Sequence, residues 1–210
     1  MWGGVQLTYG IRRRRISMKR LSILIVLLLV ACGRSTPQQQ TAHARALTPG
    51  ASSGVPGGVL INPDFEQTAT DGSIPGWNTA QHAGQPAYVM WIDAYKPYAG
   101  HGSFHVTRTQ PQVYGSLTQT LDARAYAGKT VELSAMLKAL GVGPGGWKLI
   151  ISANMPGTLA YSPELTGDSA WTRESVRLSV PAKAQRLTVG VSLRDGGDGW
   201  MDNVELKVVD

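Results

Sequence analysis

The sequence feature that most constrains the fold is a two-residue alternation of apolar and polar side chains. It is clearest in four stretches, residues 131–137, 176–180, 187–193 and 200–208. Such a period places every second side chain on the buried face of a β-strand. Shorter apolar runs at 59–61, 88–92, 103–107, 114–121 and 147–153 add further strands, and Asp195-Gly196-Gly197-Asp198-Gly199 predicts a tight turn. No convincing 3.6-residue period occurs after residue 57, so the pattern predicts an all-β sandwich.

Composition supports the same fold class. The chain has 210 residues with 25 Gly and 12 Pro, and only 16% of its residues are charged. A helical bundle or coiled coil is therefore disfavoured, and strands joined by turns fit better. Cys32 is the only cysteine, so an internal disulfide is excluded and the core or a metal must hold the fold.

The net charge of +6 points to a basic protein, but the charges are unevenly placed. Six of the 20 basic residues precede Cys32 and none of the 14 acidic residues does, which leaves 14 of each from Cys32 onward. Phosphate binding needs a local excess of Lys and Arg. We therefore expect no nucleic-acid partner for the part of the chain that folds.

The N-terminal segment predicts export and a membrane anchor. Met18-Lys19-Arg20 precedes an eleven-residue run, residues 21–31, which is too short to span a bilayer and is typical of a secretory signal. Leu29-Val30-Ala31-Cys32-Gly33 resembles a bacterial lipobox, in which Cys32 would be lipidated and become the first residue of the mature protein. Gly33, in place of Asp directly after the lipidated cysteine, resembles lipoproteins that are sorted to the outer membrane, if the source has an outer membrane. The alternative is an ordinary signal peptide with an incidental Cys32.

These signals divide the chain into three parts. Residues 1–31 are read as the signal peptide, of which residues 1–17 are either an upstream start in the gene or an extended basic region with a twin-arginine signal. Residues 32–57 hold the lipidated Cys32 and a segment of Gln, Thr, Ala, Ser, Pro and Gly without apolar periodicity, which predicts a flexible linker. Residues 58–210 are the predicted globular domain.

Several motifs within this domain resemble those of one known fold family. Asn62-Pro63-Asp64-Phe65-Glu66, Pro75-Gly76-Trp77, residues 117–121, residues 126–134, Trp171-Thr172-Arg173 and residues 200–206 are similar to carbohydrate-binding modules of the family 4/9/22 type. The resemblance covers nearly all of residues 59–209. It implies a jelly-roll β-sandwich of the galactose-binding-domain-like kind and a carbohydrate or glycan as partner. The motifs are mostly structural, so they specify the fold better than the ligand.

Two carboxylates are the candidate metal ligands. Asp202 is in phase with Trp200, Val204 and Leu206, so we expect it to point inward, where a carboxylate needs a partner. The resemblance implies a structural calcium ion bound by Glu66 and Asp202, and hard oxygen ligands suit Ca²⁺. The alternative is that Asp202 accepts hydrogen bonds from backbone amides at a strand end without any ion.

Aromatic residues in loop-rich stretches are the candidate ligand contacts, because sugar rings stack their apolar faces on aromatic planes. The alternative is that these rings close the ends of the sandwich. Trp171 and Trp200 are instead expected in the core. Gln119 shares the face of Leu117 and Leu121, so we expect it to be partly buried, either as a ligand contact or as an amide that braces the core. The candidate ligand-binding residues are Trp77, Trp91, Tyr95, Tyr98 and Trp147, with Gln119 and Arg108 as polar contacts, and Asp93, His101, His105 and Gln112 as further polar neighbours.

Enzyme signatures are mostly absent. The sequence has no G-x-S-x-G and no H-E-x-x-H motif, and Gly141–Gly146 does not precede a helix as a phosphate loop would. The sequence thus predicts a non-catalytic, glycan-binding lipoprotein of the bacterial cell envelope. The alternatives are a module that contacts another envelope protein and binds no sugar, and a small carbohydrate-active enzyme.

Overall fold

A computed structural model describes residues 58–209, which form nine β-strands and a short 3₁₀ turn. Asp122 caps the 3₁₀ turn at Ala123–Tyr126 by accepting a hydrogen bond from the Arg124 N–H. The strands are β1 Asn78–Gln81, β2 Tyr88–Asp93, β3 Ser103–Arg108, β4 Gly115–Asp122, β5 Thr130–Ala153, β6 Leu159–Tyr161, β7 Leu165–Ser179, β8 Arg186–Leu193 and β9 Asp198–Val208.

The strands form two halves that share β5, and every pairing is antiparallel. The first half of β5 pairs with β9 and β7, and its last residues, from Trp147 onward, pair with β8 and β6. We call β1-β4-β8-β5-β6 the front sheet and β2-β3-β9-β5-β7 the back sheet. The pairing with β7 shifts register between Leu137 and Trp147, where β5 crosses from one sheet to the other.

The core lies between the two sheets, where alternate side chains of each strand are buried. The front sheet contributes Leu117, Leu149 and Val191, and the back sheet contributes Phe104 and Met201. The Phe104 and Trp147 rings stack with centroids 6.3 Å apart, which joins the sheets at the centre. This is the jelly-roll sandwich that the alternating pattern and the sequence motifs predict.

Most of the predicted strands are confirmed, with four differences. The strand predicted at 176–180 is the last part of the longer β7. Residues 59–61 form no strand, because Ile61 bonds to the Gln119 side chain and to no neighbouring strand. The stretches at 131–137 and 147–153 are parts of the single strand β5, since the glycine-rich segment between them stays extended through the crossing. The edge strands β1 and β6 were not predicted, because they are short and half exposed.

The signal peptide, Cys32 and the linker at residues 32–57 lie outside the described residues. No helix in the described range, 58–209, is long and apolar enough to span a membrane. Export and lipidation therefore stay predictions from the sequence.

Candidate functional site

Trp77 and Trp147, two of the predicted ligand contacts, lie in the core. Trp147 is fully buried, and its indole N–H donates to the Trp200 carbonyl at 3.0 Å. Trp77 packs against Phe65 and donates to the Asn62 carbonyl at 3.1 Å. Neither ring can present a face to a ligand, so both predictions are wrong. Trp77 follows a turn at Gly76, whereas Trp147 is part of strand β5, and its side chain faces the core.

Gln119 is also buried, and its amide braces the chain. Its Oε1 accepts from the Ile61 N–H at 2.8 Å, and its Nε2 donates to the Ile61 carbonyl at 3.0 Å. With only 1% of its surface exposed, Gln119 holds the first described segment against β4. Its inward orientation is as predicted, but a ligand contact is excluded by these bonds and this burial.

The last strand changes phase at Asn203, which corrects two predictions. Asn203 has φ 51°, and the pairing with β5 shifts there, so one extra residue is accommodated in a β-bulge. Met201 and Val204 therefore both face the core, whereas Trp200 and Asp202 lie on the outer side of the back sheet. Trp200 does not belong to the sandwich core, and Asp202 does not share the face of Val204. Trp171, which was also expected in the core, is half exposed and meets Tyr98 edge-on at 5.9 Å.

The outer surface of the back sheet carries a row of stacked side chains that crosses four strands. Trp91 of β2 pairs with His105 of β3, which pairs with Trp200 of β9, which pairs with Lys138 of β5. The ring centroids of Trp91 and His105 are 4.0 Å apart, and those of His105 and Trp200 are 4.1 Å apart. The Lys138 ammonium lies 4.4 Å above the Trp200 ring as a cation–π contact. We call these four residues the aromatic row.

Two carboxylates surround the imidazole of the aromatic row. The His105 Nε2 bonds to Asp198 Oδ1 at 2.9 Å, and its Nδ1 lies 3.4 Å from Asp93 Oδ2 without making a hydrogen bond. Burial lowers the pKa of His105 despite both carboxylates, so the neutral ring is favoured. Burial works to raise the pKa of Asp93, but hydrogen bonds from the Trp200 indole and the Tyr95 N–H outweigh it and lower the pKa.

The two predicted tyrosines follow β2 in the chain and lie beside this row, whereas Arg108 does not. Tyr95, 70% exposed, and Tyr98, 46% exposed, are in the loop between β2 and β3. Arg108 ends β3 at the opposite end from that loop, and it pairs with Tyr88 on the face of Phe104 and Val106. Its guanidinium donates to the Gln112 carbonyl at 3.2 Å and lies 4.0 Å from Asp195. The structure thus brings Trp91, Tyr95 and Tyr98 to one side of the sandwich and places Arg108 apart from them.

Glu66 and Asp202 hold the end of the same β2–β3 loop. Glu66 Oε1 accepts from the backbone N–H groups of His101 at 2.8 Å and Gly102 at 3.3 Å. Asp202 Oδ2 accepts from the Ala99 N–H at 3.1 Å, and Oδ1 accepts from the Asn203 N–H at 2.7 Å. The His101 N–H lowers the pKa of Glu66, whereas burial raises the pKa of Asp202, and the Glu66 charge acts in the same direction.

These two carboxylates fit a calcium ion in chemical type, since both offer hard oxygens. Gly100 approaches so closely that an added Cβ would lie 2.0 Å from Glu66 Oε1. Ser103, next to Gly102, has a buried hydroxyl without a partner in the described part of the chain. Backbone amides donate to both carboxylates, and the bonds to Asp202 are those that the alternative expects. No group of three or more His, Cys, Asp or Glu residues within 58–209 is placed to hold a metal.

The outer surface of the front sheet is a different kind of face, which we call the front face. Its middle row runs from Asn78 through Thr118, Gly190 and Ile150 to Tyr161, as the pairing register shows. The rows on either side consist mainly of hydroxyl side chains: Ser116 and Ser192 in one, Thr120, Thr188 and Ser152 in the other. Sequence reasoning missed this face, although the outward positions of the same alternating strands would have located it.

A tyrosine and a lysine border the front face at the β6 edge. Tyr161 is 46% exposed, and the Lys148 ammonium lies 5.3 Å from its ring centroid. Lys148 also pairs with Glu164 at 2.7 Å, which lowers the pKa of Glu164. A depression of about 230 Å³ lies where β4 and β5 end and β8 begins. It is lined by Thr120, Ser152, Ala153, Asn154, Arg186 and Thr188.

Comparisons with other sequences identify little. No protein-family model matches the chain. A curated relative, an uncharacterized HTH-type transcriptional regulator of Bacillus subtilis called YbfP, is 28% identical over 155 residues. The alignment covers 69% of this chain and 52% of the regulator, so the chain spans about half the length of that relative.

Comparisons of structure identify the fold. The CBM22-1 xylan-binding domain of Paenibacillus barcinonensis Xyn10C matches with a TM-score of 0.50 and 17% identity, over 70% of this chain and 92% of the domain. A family 4 carbohydrate-binding module matches with a TM-score of 0.50 and 18% identity, over 72% of this chain and all of the module. The enzymatically active domain of bacteriophage CBA120 tailspike protein 4 gives 0.57 at 14% identity, over 71% of this chain and 21% of that one. The chain therefore has the jelly-roll sandwich fold found in carbohydrate-binding modules.

Proposed function

We propose that this chain binds a carbohydrate chain on its front face and does not transform it. The observation that carries the proposal is the middle row of that face, in which Gly190, which has no side chain, leaves an open centre between Thr118 and Ile150, with the Tyr161 ring beyond Ile150. A saccharide needs both a flat apolar contact and many hydrogen-bond partners. The fold, shared with carbohydrate-binding modules, supports the same function.

The hydroxyls of the front face suit a polyhydroxyl ligand, because each can donate and accept a hydrogen bond. Thr120 and Thr188 lie side by side with their hydroxyl oxygens 3.3 Å apart, and Ser152 follows on β5. Gly190 must remain a glycine, since an added Cβ would lie 2.0 Å from the Leu117 carbonyl oxygen. No side chain therefore rises above the sheet at Gly190 in the middle of the front face, where a chain of sugars would lie.

Tyr161 supplies the aromatic plane at the edge of the face. The short strand β6 pairs with β5 and places the ring beside Ile150. Lys148 has 13% of its side chain exposed and is fixed by Glu164, so it supports the ring rather than swinging through solvent. An aromatic residue held in this way stacks on a sugar at little entropic cost.

The carboxylates at the margins of the front face are unsuited to glycoside hydrolysis. A general acid must hold a proton near neutral pH, which requires a raised pKa. Arg124 instead lowers the pKa of Asp122 to about 2, and Lys148 lowers the pKa of Glu164. These charges favour binding without catalysis.

Affinity electrophoresis in gels that contain soluble polysaccharides tests the proposal, with xylan first because one structural neighbour is a xylan-binding domain. We expect retardation by at least one polysaccharide, no release of reducing sugar, and a loss of about tenfold in affinity for Tyr161→Ala. Thr118→Trp should abolish binding by filling the open centre.

Tyr98→Ala is the matched control, because Tyr98 is also 46% exposed but lies on the other side of the sandwich. Equal retardation of the wild type, Tyr161→Ala and Thr118→Trp would exclude the front face. No retardation on any polysaccharide of a broad panel would favour the module that contacts another envelope protein.

The proposed location is the bacterial cell envelope, where a lipid on Cys32 would tether the domain through residues 33–57. More than one acyl chain is needed for stable anchoring, and a lipidated N-terminal cysteine carries several. We expect radiolabelled palmitate to enter the wild-type protein and to be absent from Cys32→Ser. Cys32→Ser should also move from the membrane fraction to the soluble fraction, and an unchanged distribution would contradict the anchor.

A further inference from the structure

The aromatic row on the back face provides a second aromatic plane, which the proposed front-face site does not use. β2 is the outermost strand of the back sheet, so Trp91 is stacked on His105 on one side and has no neighbouring strand on the other. The ring is partly exposed. Its position differs from that of Trp200, which lies between His105 and Lys138.

We propose that Trp91 is the platform of a second saccharide site, which takes a single uncharged sugar residue. The site lies on the sheet opposite the front face, and it goes beyond the proposed function because it does not depend on the front face. A sugar would stack its apolar face on the free side of the indole. The polar groups around the aromatic row would form hydrogen bonds with the hydroxyl groups of the sugar.

The indole N–H of Trp91 is free to take part. Trp77, Trp147 and Trp200 each donate their indole N–H to an oxygen of the protein. Within residues 58–209, no such bond is made by Trp91, and its nitrogen is not among the buried atoms that lack a partner. A partly exposed ring with an open donor at its edge is the combination that binds a polar ligand with an apolar face.

The charges around the row favour an uncharged ligand. Asp93 and Asp198 are carboxylates, Lys138 is an ammonium, and the His105 ring lies neutral between them. The Lys96 ammonium, which lies over the Tyr95 ring in the β2–β3 loop, balances the second carboxylate. The site therefore offers no excess of positive charge to attract a uronic acid or a phosphate. Both carboxylates keep lone pairs for hydroxyl donors, since Asp93 is 18% exposed and Asp198 is 31% exposed.

The protein holds Trp91 in place before any ligand arrives. His105 is wedged between the two tryptophans, and its own orientation is fixed by Asp198. Asp93 ties the row together by accepting from the Trp200 indole at 3.0 Å and from the Tyr95 N–H at 2.8 Å. Binding therefore needs little ordering of side chains, which is how small ligands gain affinity.

NMR titration of the full chain with neutral methyl glycosides tests this site, because each indole N–H gives its own signal. The probes are methyl glycosides of glucose, galactose, mannose, xylose and N-acetylglucosamine, with glucuronate as the anionic comparison. We expect at least one neutral glycoside to shift the Trp91 indole signal saturably. Trp91→Ala should weaken that binding about tenfold or more, and Trp91→Phe should retain part of it.

Tyr161→Ala is the control, since Tyr161 is an exposed aromatic residue on β6 of the front sheet, on the opposite side of the sandwich from the aromatic row. It removes the front-face ring and should leave the titration unchanged. The Trp200 indole signal reports whether Trp91→Ala keeps the row folded. No saturable shift of Trp91 with any neutral glycoside, or tighter binding of glucuronate, would overturn the proposal. Shifts in Trp91→Ala equal to those of the wild type would overturn it as well, whatever the front face binds.

Discussion

His105 is a buried histidine whose surroundings make stability depend on pH. It is 7% exposed, and burial lowers its pKa below the ordinary value of about 6.5. The groups that face it are Asp93 of β2, Asp198 of β9 and Lys138 of β5. Because the unfolded chain takes up a proton at a higher pH than the folded chain, the neutral ring stabilises the fold above about pH 6.5. This contribution is lost as the pH falls from there toward the lowered pKa.

We expect His105→Phe to remove part of the loss of stability between about pH 7 and about pH 5.5. Urea unfolding at both values measures the difference in the free energy of unfolding. Asp93 contributes little in this window, because its pKa is lowered and its effect falls at more acidic pH. Asp202, whose pKa is raised, is present in both proteins, so its contribution does not distinguish them. His82→Gln is the control, since His82 is exposed. A slope in His105→Phe equal to that of the wild type would contradict the assignment.

Single residues show what the sequence could predict and what it could not. The inward orientation of Gln119 follows from its phase with Leu117 and Leu121, and the structure has it so. Trp147 and Trp91 both stand at loop ends in the sequence, yet one is fully buried and the other partly exposed. The side chain of Trp147 points between the two sheets, whereas that of Trp91 lies on the outer surface of the back sheet. Pairing between strands that are distant in sequence decides which face each side chain takes, and a local sequence pattern does not contain that pairing.

At the scale of elements, the bulge in β9 determines what the last strand presents to each side. The alternation at residues 200–208 predicted a strand correctly, but a strict period would put Asp202 on the core face. Asn203 breaks the period by adopting φ 51°, a conformation that asparagine tolerates better than most residues. The bulge therefore brings Trp200 to the aromatic row and Asp202 to the β2–β3 loop.

Asn203→Val should destabilise the fold by about 1–2 kcal/mol, because a β-branched residue resists a left-handed backbone. The Asn203 side chain is exposed, so the change removes no packing. Urea unfolding measures the cost. Asn203→Gly separates the backbone effect from the side chain, and it should stay within about 0.5 kcal/mol of the wild type. Equal stabilities for the valine and glycine variants would show that the bulge is not under strain.

The whole domain presents two unlike faces because β5 belongs to both sheets. Its first half places Lys138 in the aromatic row, and its second half places Lys148 beside Tyr161. A lysine thus lies against an aromatic ring on each face. The sequence alone does not identify the ring that each lysine contacts, because that depends on the pairing of the strands. The sequence predicted the sandwich from its alternation, whereas the division of one long strand between two sheets could not be inferred from a glycine-rich segment.

Across the whole domain, Glu66 of the first described segment and Asp202 of the last strand both bind the β2–β3 loop. Asp202 is 1% exposed, and no cationic side chain pairs with it among the described residues. A divalent cation between the two carboxylates would supply that missing charge. We therefore expect Ca²⁺ to raise the melting temperature relative to a chelator.

Calcium at about 100 times its dissociation constant would add about 2.7 kcal/mol, which is a rise of several degrees for a domain of this size. Differential scanning calorimetry with excess Ca²⁺ and with chelator measures the shift. Asp202→Asn should abolish it, whereas Asp198→Asn, on the same strand but bonded to His105, should retain it. Mg²⁺ is the second control, since it prefers a tighter octahedral site and should stabilise less. Equal melting temperatures in Ca²⁺ and chelator would mean that the amide donors of Ala99, His101 and Gly102 alone satisfy the carboxylates.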